Sequence, residues 1–286
     1  MTVETHTITT PGAEITYDVR KGDGPVLLLV GSPMDASGFG TLAKHFTDRT
    51  IVTYDPRGVS RSKLTGGATE STPEQHGDDM SAIIDALGGG PVDVFASSGG
   101  AVNALALVTA HPGQVGTLVA HEPPIIPVLA DRETASAATK GIAELYQREG
   151  MGPAMVRFIM MVSHKGDVPA GWIDQPAPSP AEFGLPADDN GDRNDPLLGQ
   201  NLVSCTHYEP DFEALRAAST RIVIGVGEES KDELANRGGL GVAAGLGVEP
   251  TWFPSNHAGF LGGEFGQQGD PDNFAATLRR VLDNRA

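Results

Sequence analysis

Cysteine is nearly absent from this chain: Cys205 is the only one in 286 residues. A single thiol excludes an internal disulfide framework and points to a reducing, cytoplasmic compartment. Cations are scarce too. Twenty Lys and Arg against 37 Asp and Glu leave a formal charge of −17. That charge repels nucleic acid and anionic membrane surfaces, so neither is expected as a partner. No apolar run approaches the roughly 20 residues needed to span a bilayer. The opening Met1-Thr-Val-Glu-Thr-His lacks the basic and apolar regions of a secretory signal. There is no H-E-x-x-H, no paired cysteine, no His/Asp cluster at ligand spacing and no Walker loop, and no metal or other cofactor is expected. Gly239-Leu-Gly241 lies in a predicted helix and not after a strand, so it is not a dinucleotide loop.

What is present is an ordinary globular composition, 39% hydrophobic and 20% charged, in a chain long enough to bury a core without staples. Strand-like runs alternate with helical patterns at both ends, which predicts an α/β fold with a mostly parallel sheet covered on both faces. Residues 7–10 and 15–20 read as an antiparallel hairpin around Pro11-Gly12. Residues 25–30 (PVLLLV) form a fully apolar run of strand length, as a buried central strand requires. Residues 50–54, 92–96, 115–120, 221–226 and 251–253 read the same way. Helices are predicted over 37–46, over 73–87 with Thr72 as N-cap and Pro73 in the first turn, over 99–110 and over 271–284.

The alternation stops after Glu122. Residues 123–219 contain no convincing strand, and 175–195 are dense in Pro, Asp and Gly, a composition that cannot build a packed core. The expected organisation is a core of residues 1–122 and 220–286 with a helical cap, 123–219, inserted into it and a flexible segment at 175–195. No internal repeat is visible, and no surface pattern marks an oligomeric state.

Val92-Asp-Val-Phe-Ala-Ser-Ser-Gly-Gly-Ala-Val102 passes from strand directly into helix. Its centre, Ala96-Ser97-Ser98-Gly99-Gly100, is a G-x-S-x-G turn with alanine in the first small position. A nucleophile at the apex of so tight a turn needs small residues two before and two after it. Ala96 and Gly100 meet that need if Ser98 is the apex; Ser97 would put Phe95 in the first slot. The bland alternative is a Gly/Ser-rich β-to-α turn without chemistry. His257, in Phe253-Pro-Ser-Asn-His-Ala-Gly-Phe260, follows the last predicted strand and suits a general base in the order Ser…acid…His, whereas the other seven histidines read as surface or structural. The first apolar strand ends in Val30-Gly31-Ser32-Pro33-Met34, where glycine lets the chain turn and leaves the next N–H free. The backbone amides of Ser32 and Gly99 are therefore the expected oxyanion hole.

These segments resemble the α/β-hydrolase superfamily in the order of its capped members, and Tyr54-Asp-Pro-Arg-Gly-Val-Ser-Arg-Ser62 is similar to its D-x-R-G-x-G-x-S loop. The resemblance covers the chain outside the cap, with Val30 where histidine is usual before glycine. It implies a serine hydrolase working through a Ser–His–acid triad, and it departs from the pattern at the acid. After the post-cap strand, Gly225-Val-Gly-Glu-Glu-Ser-Lys-Asp232 puts Ser230 where aspartate is usual, with Glu228, Glu229 and Asp232 out of register. Some members, certain haloalkane dehalogenases and zearalenone-type lactonases among them, carry the acid at the end of the strand before the cap. Glu122, in His121-Glu-Pro-Pro124, occupies that place and is the first candidate, with Glu228 second and a cap-anchoring role as the structural alternative for Glu122.

Residues 151–161 concentrate Met and Phe, which adapt to irregular apolar shapes. Met34, Met155, Phe158, Trp172 and Phe260 are the candidate substrate contacts, ordinary core packing being the alternative for each. The function expected is cleavage of a carboxylic ester or lactone of a small, largely apolar molecule. A proline-releasing aminopeptidase would use the same triad with acidic cap residues such as Asp188, Asp189 or Asp192 holding the substrate ammonium. Perhydrolysis and a receptor of small molecules with little turnover are further alternatives. A serine nucleophile disfavours the aspartate-dependent dehalogenases and epoxide hydrolases.

Overall fold

A computed structural model describes residues 2–67, 71–186 and 188–284. Met1 and Ala286, the outer limits of the expected core, and Ala187, inside the segment expected to be flexible, lie outside the described residues.

Among the described residues nine strands form one sheet in the order β1-β2-β4-β3-β6-β7-β8-β9, with β5 on β2. The hairpin of β1 (Val3–Thr10) and β2 (Ala13–Arg20) is antiparallel and pairs with β4 (Arg49–Tyr54). From β4 onward, β3 (Gly24–Val30), β6 (Val92–Ser97), β7 (Val115–His121), β8 (Arg221–Gly227) and β9 (Thr251–Phe253) run parallel. β5 (Lys63–Leu64) is a two-residue edge strand.

The apolar run of β3 is apolar because it is covered twice. Leu28 and Val30 enter one core cluster with α1 (Pro73–Ala86) and α2 (Gly99–Ala110), while Leu27 and Leu29 enter a second with α8 (Pro271–Asp283). Period-two alternation thus feeds two layers at once, as a parallel sheet between helices demands. α1 begins at the predicted N-cap Thr72, which also exchanges reciprocal hydrogen bonds with Gln75. The helix expected over 37–46 is instead two short 3₁₀ turns, Ala36–Phe39 and Leu42–His45. Gly38 and Gly40 lower helix propensity there, and Phe39, Leu42 and Phe46 are held by burial.

The first strand-end loop carries a buried ion pair. Arg57 donates to Asp79 through Nε (2.8 Å) and Nη2 (2.7 Å), and Thr10 donates its hydroxyl to the same carboxylate. Both charged groups are almost fully buried. Asp79→Ala would strand the guanidinium without a counter-charge, and a urea titration is expected to show a loss of about 3–5 kcal/mol.

Between β7 and β8 the described residues form only helices and turns. α3 (Arg132–Glu149) packs on α4 (Met151–Val162), and a π-helical turn (Pro196–Asn201) leads into α5 (Leu202–Thr206). Their apolar sides meet in a third cluster that includes Ile142, Tyr146, Trp172 and Leu198. α6 (Phe212–Ala217) then returns the chain to β8, and α7 (Leu234–Leu246) follows it. Among the described residues no helix is long and apolar enough to cross a membrane.

Candidate active site

β6, β7, β8 and β9 end side by side, and the loops leaving them build the site. At the end of β6 the chain turns through Ser98 (φ 57°, ψ −127°) directly into α2. Few L-residues adopt this conformation, and strain of about 1–3 kcal/mol of this kind persists only where surroundings impose it. They do so here: a Cβ at Gly100 would lie 2.5 Å from the Val30 carbonyl oxygen, so the turn closes against β3 only with glycine two residues on. Ser98 is the N-cap of α2 but its side chain caps nothing, which leaves the hydroxyl free at the positive end of the helix. Its N–H donates to the His121 carbonyl (2.9 Å), tying the turn to the end of β7.

The residue after that carbonyl is Glu122 (φ 48°), fully buried. One carboxylate oxygen, Oε2, lies 2.6 Å from His257 Nδ1. The other, Oε1, accepts from the Gly227 N–H (2.8 Å), the Ser230 hydroxyl (2.5 Å) and the Asn236 side-chain amide (3.0 Å). Burial pushes the Glu122 pKa up, but the hydrogen bond from His257, the neighbouring imidazoles and the Ser230 hydroxyl outweigh it. The group is held far below the usual carboxylate range and stays ionised. With Nδ1 committed to Glu122, Nε2 is the ring nitrogen of His257 left to exchange a proton.

Ser230 therefore occupies the usual acid register and steadies a carboxylate supplied by the neighbouring strand. Glu228, the second candidate, is exposed, as are Glu229 and Asp232. Glu228 thus does not reach the histidine, because its strand end points it to solvent. The supporting role of Asn236 was not anticipated. It sits one turn into α7, and only a fold that lays that turn over the β7 end brings it to Glu122.

The Ser32 and Gly99 backbones approach closely: a Cβ at Gly99 would come within 2.5 Å of the Ser32 carbonyl oxygen. Among the described residues neither amide donates a hydrogen bond to a protein acceptor. The Asn201 side chain donates to Ser32 Oγ (3.2 Å), linking this turn to the helical insertion.

Ser32, Ser98, Gly99 and His257 all line one cavity of about 660 Å³. Of the expected substrate contacts, Met34, Phe158 and Phe260 line it as well. Met155 and Trp172 do not; that expectation is corrected. Both pack on the apolar cluster of the insertion, Trp172 buried in a 3₁₀ turn (Trp172–Asp174) and Met155 half-buried on α4. Ile142, Leu197, Asn201, Leu202, Cys205 and Glu233 line the cavity unanticipated. They come from segments distant in sequence, and no local pattern marks them. Burial pushes the Cys205 thiol up to about 12, so it is inert as a nucleophile. Asp188, Asp189 and Asp192 are not among the lining residues, and Asp189 is clamped by both terminal nitrogens of Arg193. The ammonium site of an aminopeptidase does not form from them.

His121, Glu122 and His257 offer donor atoms within 4.8 Å of one another, the only such trio among the described residues. Both Glu122 oxygens already accept protein hydrogen bonds, one of them from His257 Nδ1, whereas the buried Nε2 of His121 has no partner among the described residues. His121 is enclosed by Phe95, Phe253, Phe260 and Phe274 and bonds Ser97 Oγ through Nδ1 (3.1 Å). Burial pushes its pKa down to about 4 against an ordinary 6.5. Between those values the unfolded chain binds a proton that the folded one does not, so stability falls as pH is lowered through this window. Acidification from pH 7 to pH 4 is expected to cost about 3 kcal/mol through this group. Denaturant titrations at both pH values should show the drop, reduced by that amount in His121→Gln.

Two other hollows lie away from this cluster. One, of about 340 Å³, includes charged side chains in its lining, but its Arg61 is already bound to Asp18 and Asp55. The other, of about 1200 Å³, lies between α3 and the Gly58–Leu64 region, and its two serines, Ser62 and Ser204, donate to backbone carbonyls.

Residues 24–150 match the family model for the alpha/beta hydrolase fold. An uncharacterized hydrolase of Bacillus subtilis, YraK, is 32% identical over 266 residues, covering 91% of this chain and 92% of that protein. The chain belongs to the alpha/beta hydrolase family. Solved structures agree on the fold of this hydrolase. A thermophilic esterase from Thermogutta terrifontis, with malate bound, superposes with a TM-score of 0.67 at 18% identity and 98% coverage of both chains. A mutant of the N-acyl homoserine lactonase AidH, complexed with N-hexanoyl homoserine, gives 0.64 at 16% identity, covering 98% of this chain and 96% of its own. A putative non-heme bromoperoxidase of Mycobacterium tuberculosis, BpoC, gives 0.64 at 19% identity and 94% coverage of each.

Proposed function

We propose that this hydrolase cleaves a carboxylic ester or lactone of a small, largely apolar molecule through an acyl-enzyme on Ser98. The observation that carries the reading is the 2.6 Å bond between His257 Nδ1 and the buried Glu122 carboxylate, beside a serine held at a strained turn in the same cavity. A carboxylate at Nδ1 fixes the imidazole tautomer and balances the imidazolium that forms at Nε2.

In the first half-reaction His257 Nε2 takes the Ser98 hydroxyl proton while Oγ bonds to the substrate carbonyl carbon. The developing oxyanion lies toward the Ser32 and Gly99 amides, which have no competing protein acceptor. Collapse of the tetrahedral species breaks the C–O bond, and the alkoxide leaves with the proton from His257. Water then repeats the sequence: its proton passes to His257, its oxygen bonds to the acyl carbon, and the acid leaves as Ser98 regains its proton. The esterase and lactonase among the structural neighbours accord with this chemistry.

A panel of p-nitrophenyl esters and simple lactones tests it, together with a fluorophosphonate label. Hydrolysis and stoichiometric labelling at Ser98 are expected. A folded protein that hydrolyses no member of the panel and takes up no label would refute the reading.

A further inference from the structure

Glu233 stands out in this cavity because it is acidic and its side chain makes no hydrogen bond or ion pair among the described residues. Apart from His257, no other titratable side chain except the buried thiol of Cys205 lines that cavity among the described residues. It is the N-cap residue of α7, yet its side chain makes no capping hydrogen bond. Lys165 lies across an isolated backbone bridge from it, but the ammonium is exposed and forms no ion pair with the carboxylate. The Glu233 backbone is fully employed: its N–H donates to the Ser230 carbonyl and its own carbonyl accepts from Arg237. Neither ordinary structural use of a glutamate, cap or salt bridge, accounts for this side chain.

We propose that Glu233 is a specificity determinant that accepts a polar hydrogen, N–H or O–H, from a substrate bound in this cavity and turns away substrates that would place a carboxylate beside it. The proposal deepens the ester or lactone reading by naming the substrate class. Glu233 is half-buried, and it shares the cavity with apolar side chains such as Ile142, Phe158 and Leu234, so a ligand bound there displaces part of its water. A ligand that brings a donor restores a hydrogen bond, and bonds to charged groups are the stronger kind. A ligand that brings a second carboxylate meets like charge where water is displaced. Burial and the nearby Glu122 charge push the Glu233 pKa up, with Lys165 and His257 opposing the shift.

The test is binding without turnover. Hexylamine, 1-hexanol and hexanoate are titrated by NMR at neutral pH into the full chain, into Glu233→Gln and into Glu228→Gln. Wild type is expected to bind hexylamine about tenfold or more tightly than hexanoate, with 1-hexanol between them. Glu233→Gln should narrow the gap to under about threefold while keeping its affinity for 1-hexanol, which shows an intact cavity. Glu228→Gln removes the same charge from an exposed site and should keep the gap. A wild-type protein that does not distinguish the amine from the carboxylate overturns the proposal. So does a gap that survives Glu233→Gln, or one that collapses equally in Glu228→Gln. Because no ester is cleaved in this experiment, failure of the ester panel would remove the esterase reading and leave this result to stand or fall by itself.

Discussion

Ser98→Ala is expected to lower kcat for ester hydrolysis by roughly 10⁶-fold, the scale found when a serine nucleophile is deleted. The alanine fits the turn, since it removes one oxygen from a site where Ala96 and Gly100 already demand small groups. It leaves the Ser32 and Gly99 amides, the Glu122–His257 bond and the cavity walls in place. Residual catalysis of roughly 10³–10⁴ over water should therefore remain, because charge stabilisation and binding are retained. KM should change little. Labelling by a fluorophosphonate should vanish altogether. Labelling that persists in Ser98→Ala would move the nucleophile elsewhere; retained kcat would remove the acyl-enzyme from the mechanism.

The second large effect is expected at the acid. Glu122→Gln keeps the shape of the side chain but reverses one contact. The three donors from Gly227, Ser230 and Asn236 converge on Oε1, so the amide oxygen of glutamine is held there. Its NH₂ then faces His257 Nδ1 and forces that nitrogen to accept. The ring proton moves to Nε2, where it blocks proton transfer from Ser98. A loss of roughly 10⁴-fold in kcat is expected, as for an amide substitution of a triad acid. Glu228→Gln, at an exposed position on the next strand end, should stay within about twofold of wild type. Equal, near-wild-type rates for the two variants would take Glu122 out of the triad.

Much of this architecture was legible in the chain itself because buried parallel strands leave a strong trace. Residues 25–30 are apolar on both faces, and a mostly parallel sheet covered by helices follows from the alternation around them, although the order of its strands does not. The turn at Ser98 is legible for a steric reason: small residues at 96 and 100 are required by backbone contact, whatever the chemistry. Glu122 could be singled out because Ser230 stands where a carboxylate is usual. The supporting cast was less visible. Asn201, Asn236 and Glu233 reach the site through tertiary packing, and no periodicity or spacing connects them to Ser98. Met155 shows the converse: an apolar helical face reads the same whether it meets a ligand or the rest of the protein. The 3₁₀ turns over 36–45 escaped because burial of Phe39, Leu42 and Phe46 imposes helical spacing without an α-helix.

The position of Glu122 has a consequence for how this molecule can change. Ser98 and Glu122, the proposed nucleophile and acid, lie 24 residues apart on a single strand–helix–strand unit, and the Ser98 N–H is bonded to the carbonyl just before Glu122. The helical insertion begins only after that unit is complete. Its length, sequence and mode of packing can drift without altering the separation of serine and carboxylate. An acid on β8 would instead be threaded to the nucleophile through some hundred residues of insertion. In the proposed mechanism the reactive pair is a fixed cartridge, and the walls around the ligand are an interchangeable sleeve.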